Sequence, residues 1–201
     1  MQYTDDELEK YLALLASIVD NDEGGITRFR SGLAPRWRYS AEDVARALNE
    51  TYDDRHFTEF GAVFANRRWS DGEVILHSPV SLAAHLNRPG LIRRLCDSKL
   101  FDANSSLGCI FHEDMENDGY ETVDEESPLT VAIDARSFEA VACLLDLGAR
   151  AEPAWARLIE ADADTTNELL ESLLQDRIRT GLQDPTVIDR FAAGLQRARQ
   201  T

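Results

Sequence analysis

The densest gathering of chemically useful side chains lies in a stretch without a basic residue. From Leu100 to Ala135 there is no Lys or Arg, whereas Glu113, Asp114, Glu116, Asp118, Glu121, Asp124, Glu125 and Glu126 crowd its middle. Carboxylates this close repel one another unless water or a partner's positive charge meets them. One chemistry that suits them is capture of calcium. Asp114, Glu116, Asp118, Gly119 and Glu125 fall at positions one, three, five, six and twelve of a calcium loop, with the Tyr120 carbonyl at seven and Thr122 at nine. Against it, Glu116 is too long for its position, Glu121 replaces the expected apolar residue, and Leu107-Gly108-Cys109-Ile110 does not read as an entering helix. The sequence therefore favours no metal and no cofactor. The second chemistry is recognition of a basic protein: Glu113, Asp114, Glu116, Asp118 and Glu121 would steer the encounter, and Phe111 and Tyr120 would anchor it.

Other constellations are weaker. Arg28, Arg30, Arg36 and Arg38 interleave with Phe29, Trp37 and Tyr39, a pattern that can stack on nucleic acid. The whole chain opposes that reading, because 37 Asp and Glu against 21 Lys and Arg leave a formal charge of −16, and phosphate binding needs a basic footprint. These arginines are expected to serve as internal counter-charges or at a protein interface. His56, His77, His85 and His112 lack zinc-ligand spacing, and no nucleophile elbow, phosphate loop or H-E-x-x-H helix occurs. No catalytic residue is assigned, and the chain is read as a non-enzyme.

The elements that must position these groups are mainly helical. At 201 residues, with 43% apolar and 29% charged side chains, the chain can bury a sizeable core in one domain. Cys96, Cys109 and Cys143 cannot all pair, and neither a secretory leader nor an apolar run of membrane-spanning length is present, so a cytoplasmic protein with free thiols is expected. Leu8, Tyr11, Leu12, Leu15, Ile18 and Val19 predict a helix over residues 5–19, capped by Thr4 and ended near Gly24-Gly25. Further helical spacing begins after Ser40 and runs through Phe57, Phe60, Val63 and Phe64; Val74-Ile75-Leu76 reads as a short extended arm. Asn117-Asp118-Gly119 is a turn signal between two extended runs, so the acidic stretch is expected to form a β-hairpin.

One internal similarity organises the rest. Ser78-Pro79-Val80-Ser81-Leu82-Ala83-Ala84 recurs as Ser127-Pro128-Leu129-Thr130-Val131-Ala132-Ile133, and each copy leads into a second apolar helix. The later copy closes on Gly148-Ala149 after Phe138, Val141, Ala142, Leu144 and Leu145. In the earlier copy, Asn87-Arg88-Pro89-Gly90 reads as a turn one residue longer, and Lys99-Leu100-Phe101 replaces the Gly-Ala exit. These residues resemble the ankyrin repeat, with its T-P-L-H-x-A opening and Gly-Ala exit. Ser127 to Glu152 matches it without a gap; Ser78 to Asn104 matches more loosely, and the two cover about a quarter of the chain.

The resemblance implies an all-α, ankyrin-like solenoid of stacked helix pairs that binds other proteins. Residues 1–76 would be an N-terminal helical region open to degenerate repeats. Residues 77–201 would carry the repeats, an insertion at 105–126 and a C-terminal capping helix. Ser127 stands 49 residues after Ser78, about 16 more than the family's usual 33, hence the insertion. Because about three repeats are needed for a stable core, the flanks must add layers. Ala154, Leu158 and Ile159 suit a first helix after Pro153, Leu169, Leu170, Leu173 and Leu174 a second, and Val187, Ile188, Phe191, Ala192 and Leu195 a cap. The expectation is a non-catalytic protein-interaction module for a basic partner, with neither nucleic acid nor membrane involved. Its concrete version is an immunity or inhibitor protein occluding a bacterial toxin. The alternatives are a calcium-responsive regulator and a host-directed ankyrin effector.

Overall fold

The computed structural model describes residues 10, 13–15, 17–32, 73–99, 101–104, 108–114, 119–125, 127–161 and 163–200. The expected Thr4 cap, the helices after Ser40 and through Phe57–Phe64, and Glu116, Asp118 and Glu126 lie outside these residues. In chain order, residues 13–15 and 17–19 are helical, followed by α1 (Glu23–Gly32), β1 (Glu73–His77), α2 (Pro79–His85), α3 (Pro89–Asp97), β2 (Gly108–Asp114) and β3 (Gly119–Glu125). Then come α4 (Pro128–Asp134), α5 (Phe138–Asp146), α6 (Glu152–Glu160), α7 (Ala163–Leu173), α8 (Asp176–Arg179) and α9 (Thr186–Ala198). The class is all-α, since the packed body of the described residues is helical; the strands form one small antiparallel sheet in the order β1-β2-β3.

Both Ser-Pro signatures open helices for the expected physical reason. The Ser78 hydroxyl accepts the Ser81 N–H at 3.0 Å and the Ser127 hydroxyl accepts the Thr130 N–H at 3.1 Å, while Pro79 and Pro128 occupy the first helical turn. Each cap contributes about 1 kcal/mol by satisfying an otherwise orphaned amide. The wholly buried Ala83 and Ala132 sit at equivalent places, and α2 packs directly on α4. In turn α4 packs on α6, while α3 and α7 both pack on α5. Thus α2 and α3 pack on α4 and α5, which pack in turn on α6 and α7, giving a first, second and third helical layer. Val80, Leu91, Ile92 and Leu95 in the first, Leu129, Val141 and Leu144 in the second, and Leu158, Leu169 and Leu173 in the third join one continuous core. Burial of each such side chain contributes about 1.5–3 kcal/mol. Ile159 and Leu174, both expected inside, are instead 44% and 51% exposed.

The register between the two copies is closer than the sequence suggests. Asn87 (φ 52°) and Arg136 (φ 54°) both turn left-handed, with Asn87 N–H on Ala84 O and Arg136 N–H on Ile133 O. The next amide reaches back five residues in each, Arg88 to Ala83 and Ser137 to Ala132. No extra residue lengthens the earlier turn: Pro89 opens α3 where Phe138 opens α5. The exits also correspond, with Lys99 (φ 61°) in the place of Gly148 (φ 85°). Proline and lysine at these positions disguise an unchanged backbone.

The same turn appears a third time. Asn21 (φ 56°) donates to Ile18 O and Asp22 N–H reaches Ser17 O, so the helical residues 13–15 and 17–19 and α1 form another helix-turn-helix pair. Gly24-Gly25 was expected to end the first helical region, but it lies in the first turn of α1. A Cβ at Gly25 would stand 2.0 Å from the Ser17 hydroxyl; glycine there permits the two helices to cross closely. Leu14, Leu15, Ile18 and Ile26 complete the apolar face, and Glu23 meets Arg94 at 2.5 Å where α1 packs on α3. At the other end, α9 packs on α6 and α5, and the Trp155 indole N–H donates to Phe191 O at 3.2 Å.

Candidate binding surface

Each strand segment runs into the start of a helix pair. His77 ends β1 immediately before Ser78, and Glu125 ends β3 two residues before Ser127. Before the third layer there is no such extension, because only Leu147–Ala151 separates α5 from α6. The sheet is thus confined to one end of the first two layers.

Backbone pairing sets the order of the acidic residues. Asp114 pairs with Gly119, Glu113 with Tyr120, His112 with Glu121 and Phe111 with Thr122; β1 adds Val74 opposite Phe111 and Glu73 opposite His112. Between Cys109↔Glu125 and Phe111↔Thr122, Ile110 alone stands across from Val123 and Asp124, a β-bulge in β3. Residues Glu113, Asp114, Tyr120 and Glu121 are gathered toward the turn end, and Phe111 lies one row inward.

The ends of the calcium motif fall at opposite ends of this register. Asp114 stands opposite the first residue of β3, whereas Glu125 is its last, opposite Cys109. Six strand steps separate those ends by about 20 Å. Ligands of one calcium ion all lie about 2.4 Å from it; Glu116 and Asp118, two further positions of the motif, lie outside the described residues. No group of three or more His, Cys, Asp and Glu side chains suited to a metal occurs among the described residues.

Hydrogen bonds across the layer boundaries tie the helical layers together. Asn87 donates to Glu139 at 2.6 Å and accepts the Ala140 N–H at 3.0 Å; the amide bond to Glu139 holds that carboxyl below its ordinary range. Ser137 donates to His85 O at 2.9 Å. Asn104 accepts the Arg150 N–H at 2.7 Å and donates to Gly148 O at 3.2 Å. The Asp146 side chain is buried against Arg93 at 2.7 Å and accepts the Gln183 and Asp184 amides at 2.9 and 2.8 Å. Burial opposes its charge, but the two amides and the guanidinium outweigh burial and keep the Asp146 pKa lowered.

A second feature was not legible in the sequence. Asp134, Arg136, Arg157, Glu160 and Thr165 line an open groove between the second and third layers. Arg157 clasps Asp134 with bonds of 3.1 and 2.9 Å, and Arg136 reaches Glu168 at 3.2 Å. Asp134 and Arg157 belong to different layers, and only stacking brings them together. In the basic-aromatic stretch, Arg28 pairs with Asp22 and lowers that carboxyl's pKa, a local counter-charge; Arg36, Trp37, Arg38 and Tyr39 lie outside the described residues.

Cys96 and Cys143, the thiols among the described side chains, have surroundings unlike those of nucleophiles. Cys143 is buried and its Sγ lies 3.5 Å from Pro89 O; burial pushes its pKa up to about 11 and that of Cys96 to about 12. Thiols so protonated at neutral pH react slowly. No helix among the described residues is long and apolar enough to cross a membrane. No protein family matches the chain, and no curated protein or solved structure matches it either.

Proposed function

We propose that the protein is a non-catalytic, ankyrin-like interaction module whose acidic hairpin receives a basic protein. The observation that carries this reading is the hairpin register: it collects Glu113, Asp114 and Glu121 at the end remote from the helix layers, in a segment without Lys or Arg. Repeated caps, repeated left-handed turns and layer-on-layer packing support an ankyrin-like solenoid as its scaffold. A prearranged scaffold lowers the ordering cost of association, and the −16 charge accelerates encounter with a positively charged partner. The immunity or inhibitor version is the concrete form: an acidic protein that covers a basic toxin surface in the cytoplasm.

Full-length E113K/D114K/E121K tests the reading beside the parent protein in pull-downs from the native cell. Retention of one basic protein in equal amount by the parent, with at least tenfold weaker capture by the triple variant and an unchanged melting temperature, is expected. Recovery of the same partner by both proteins would remove the hairpin from the interface.

A further inference from the structure

Among the described residues, the sheet ends at β3. The first layer contributes β1 and the second β2 and β3, but the third layer's approach, Leu147–Ala151, is helix-capping turn. Gly148 N–H bonds Leu145 O and Ala149 N–H bonds Leu144 O, leaving no extended segment there to continue the ladder. In the described sheet, β2 is central and β3 is an edge strand. An antiparallel edge strand aims alternate N–H and C=O groups away from its sheet, and these groups can hydrogen-bond another extended chain.

We propose that this edge receives a basic extended segment of the partner protein as a fourth strand. The inference rests on the binding reading above and specifies how the partner docks. Two observations choose the occupant. Glu121, Asp124 and Glu125 lie on β3 itself, and Glu113 and Asp114 lie on the adjoining strand. A second copy of this chain would set like charges against like, which destabilises cross-strand pairs, whereas alternating lysines would complement them. The bulge at Val123-Asp124 interrupts regular pairing, so docking centres on Gly119–Thr122. Charge thus disfavours an acidic strand at this edge of the described sheet and favours a basic one.

Two synthetic ten-residue peptides separate strand pairing from charge attraction. One alternates lysine with valine; the other alternates lysine with proline, carrying the same charge but lacking half of its amide donors and most of its strand propensity. With the full chain, the lysine-valine peptide should bind at least tenfold more tightly and slow hydrogen exchange across residues 119–122. Equal affinity for both peptides, or binding without exchange protection, would overturn strand addition while leaving electrostatic recognition standing. Failure of both peptides to bind at low salt would overturn strand addition and count against the acidic hairpin as a basic-partner site.

Discussion

The layer from Ser78 to Lys99 and the layer from Ser127 to Gly148 follow the same backbone course with different residues at its special positions. Left-handed turns fall on Asn87 and Arg136, and left-handed exits on Lys99 and Gly148. The conserved requirement is geometric: a capped start, a small residue where helices meet, and two residues able to accept positive φ. The side chains at the exposed ends are then free to diverge. In the first layer, Asn87 became a bridge to Glu139 and Ala140; in the second, Asp146 became the anchor for Gln183 and Asp184.

Removing that anchor should produce the largest difference between equivalent positions. Asp146→Ala leaves two amides without their acceptor and Arg93 with only its bond to Gly181 O, and should cost about 3–5 kcal/mol in urea unfolding. Asp97, its counterpart, is exposed, and Asp97→Ala should stay within about 0.5 kcal/mol. The anchor also predicts a pH dependence. Because the folded Asp146 pKa is lowered, its stabilisation is present above the unfolded carboxylate pKa, near 3.9, and declines as pH falls toward the folded value. The stability gap between parent and Asp146→Ala should therefore narrow below about pH 4; a gap constant to pH 2 would contradict the charged anchor.

The cores should respond alike. Leu95 and Leu144 are each fully buried at corresponding positions, so Leu95→Ala and Leu144→Ala should each cost about 2–5 kcal/mol. A small effect in the first layer alone would show that it packs less firmly than the second. Asn87→Ala should cost about 2 kcal/mol by losing both inter-layer bonds, with Arg136→Ala well below that. The smallest effects have opposite signs. Lys99→Gly should stabilise by up to about 1 kcal/mol, since lysine now bears left-handed strain there. Gly148→Val should destabilise by about 1–2 kcal/mol through backbone strain alone, because a Cβ at Gly148 meets nothing within 4 Å.

The paired Ser-Pro openings, the extended arm and the helices beyond Pro153 were legible because caps, prolines and apolar spacing are local signals. The equivalence of Lys99 with Gly148 was not, since left-handed lysine is disfavoured and only the fixed turn imposes it. Gly24-Gly25 likewise imitates a terminator; its role depends on the proximity of Ser17, a tertiary fact. For the binding surface, composition located the acidic stretch, but the spacing of Asp114 and Glu125 supported two incompatible shapes, a closed loop and a hairpin. Strand register separates those residues. The Asp134–Arg157 groove had no local signature, because neighbouring layers supply its two sides.

Cys143 carries an experimental consequence. Its sulfur rests against Pro89 of the preceding layer, in surroundings that disfavour the reactive thiolate. Alkylation at that position would consequently act as a clock for parting of the first two layers, recording how often this seam opens while the rest of the molecule stays assembled.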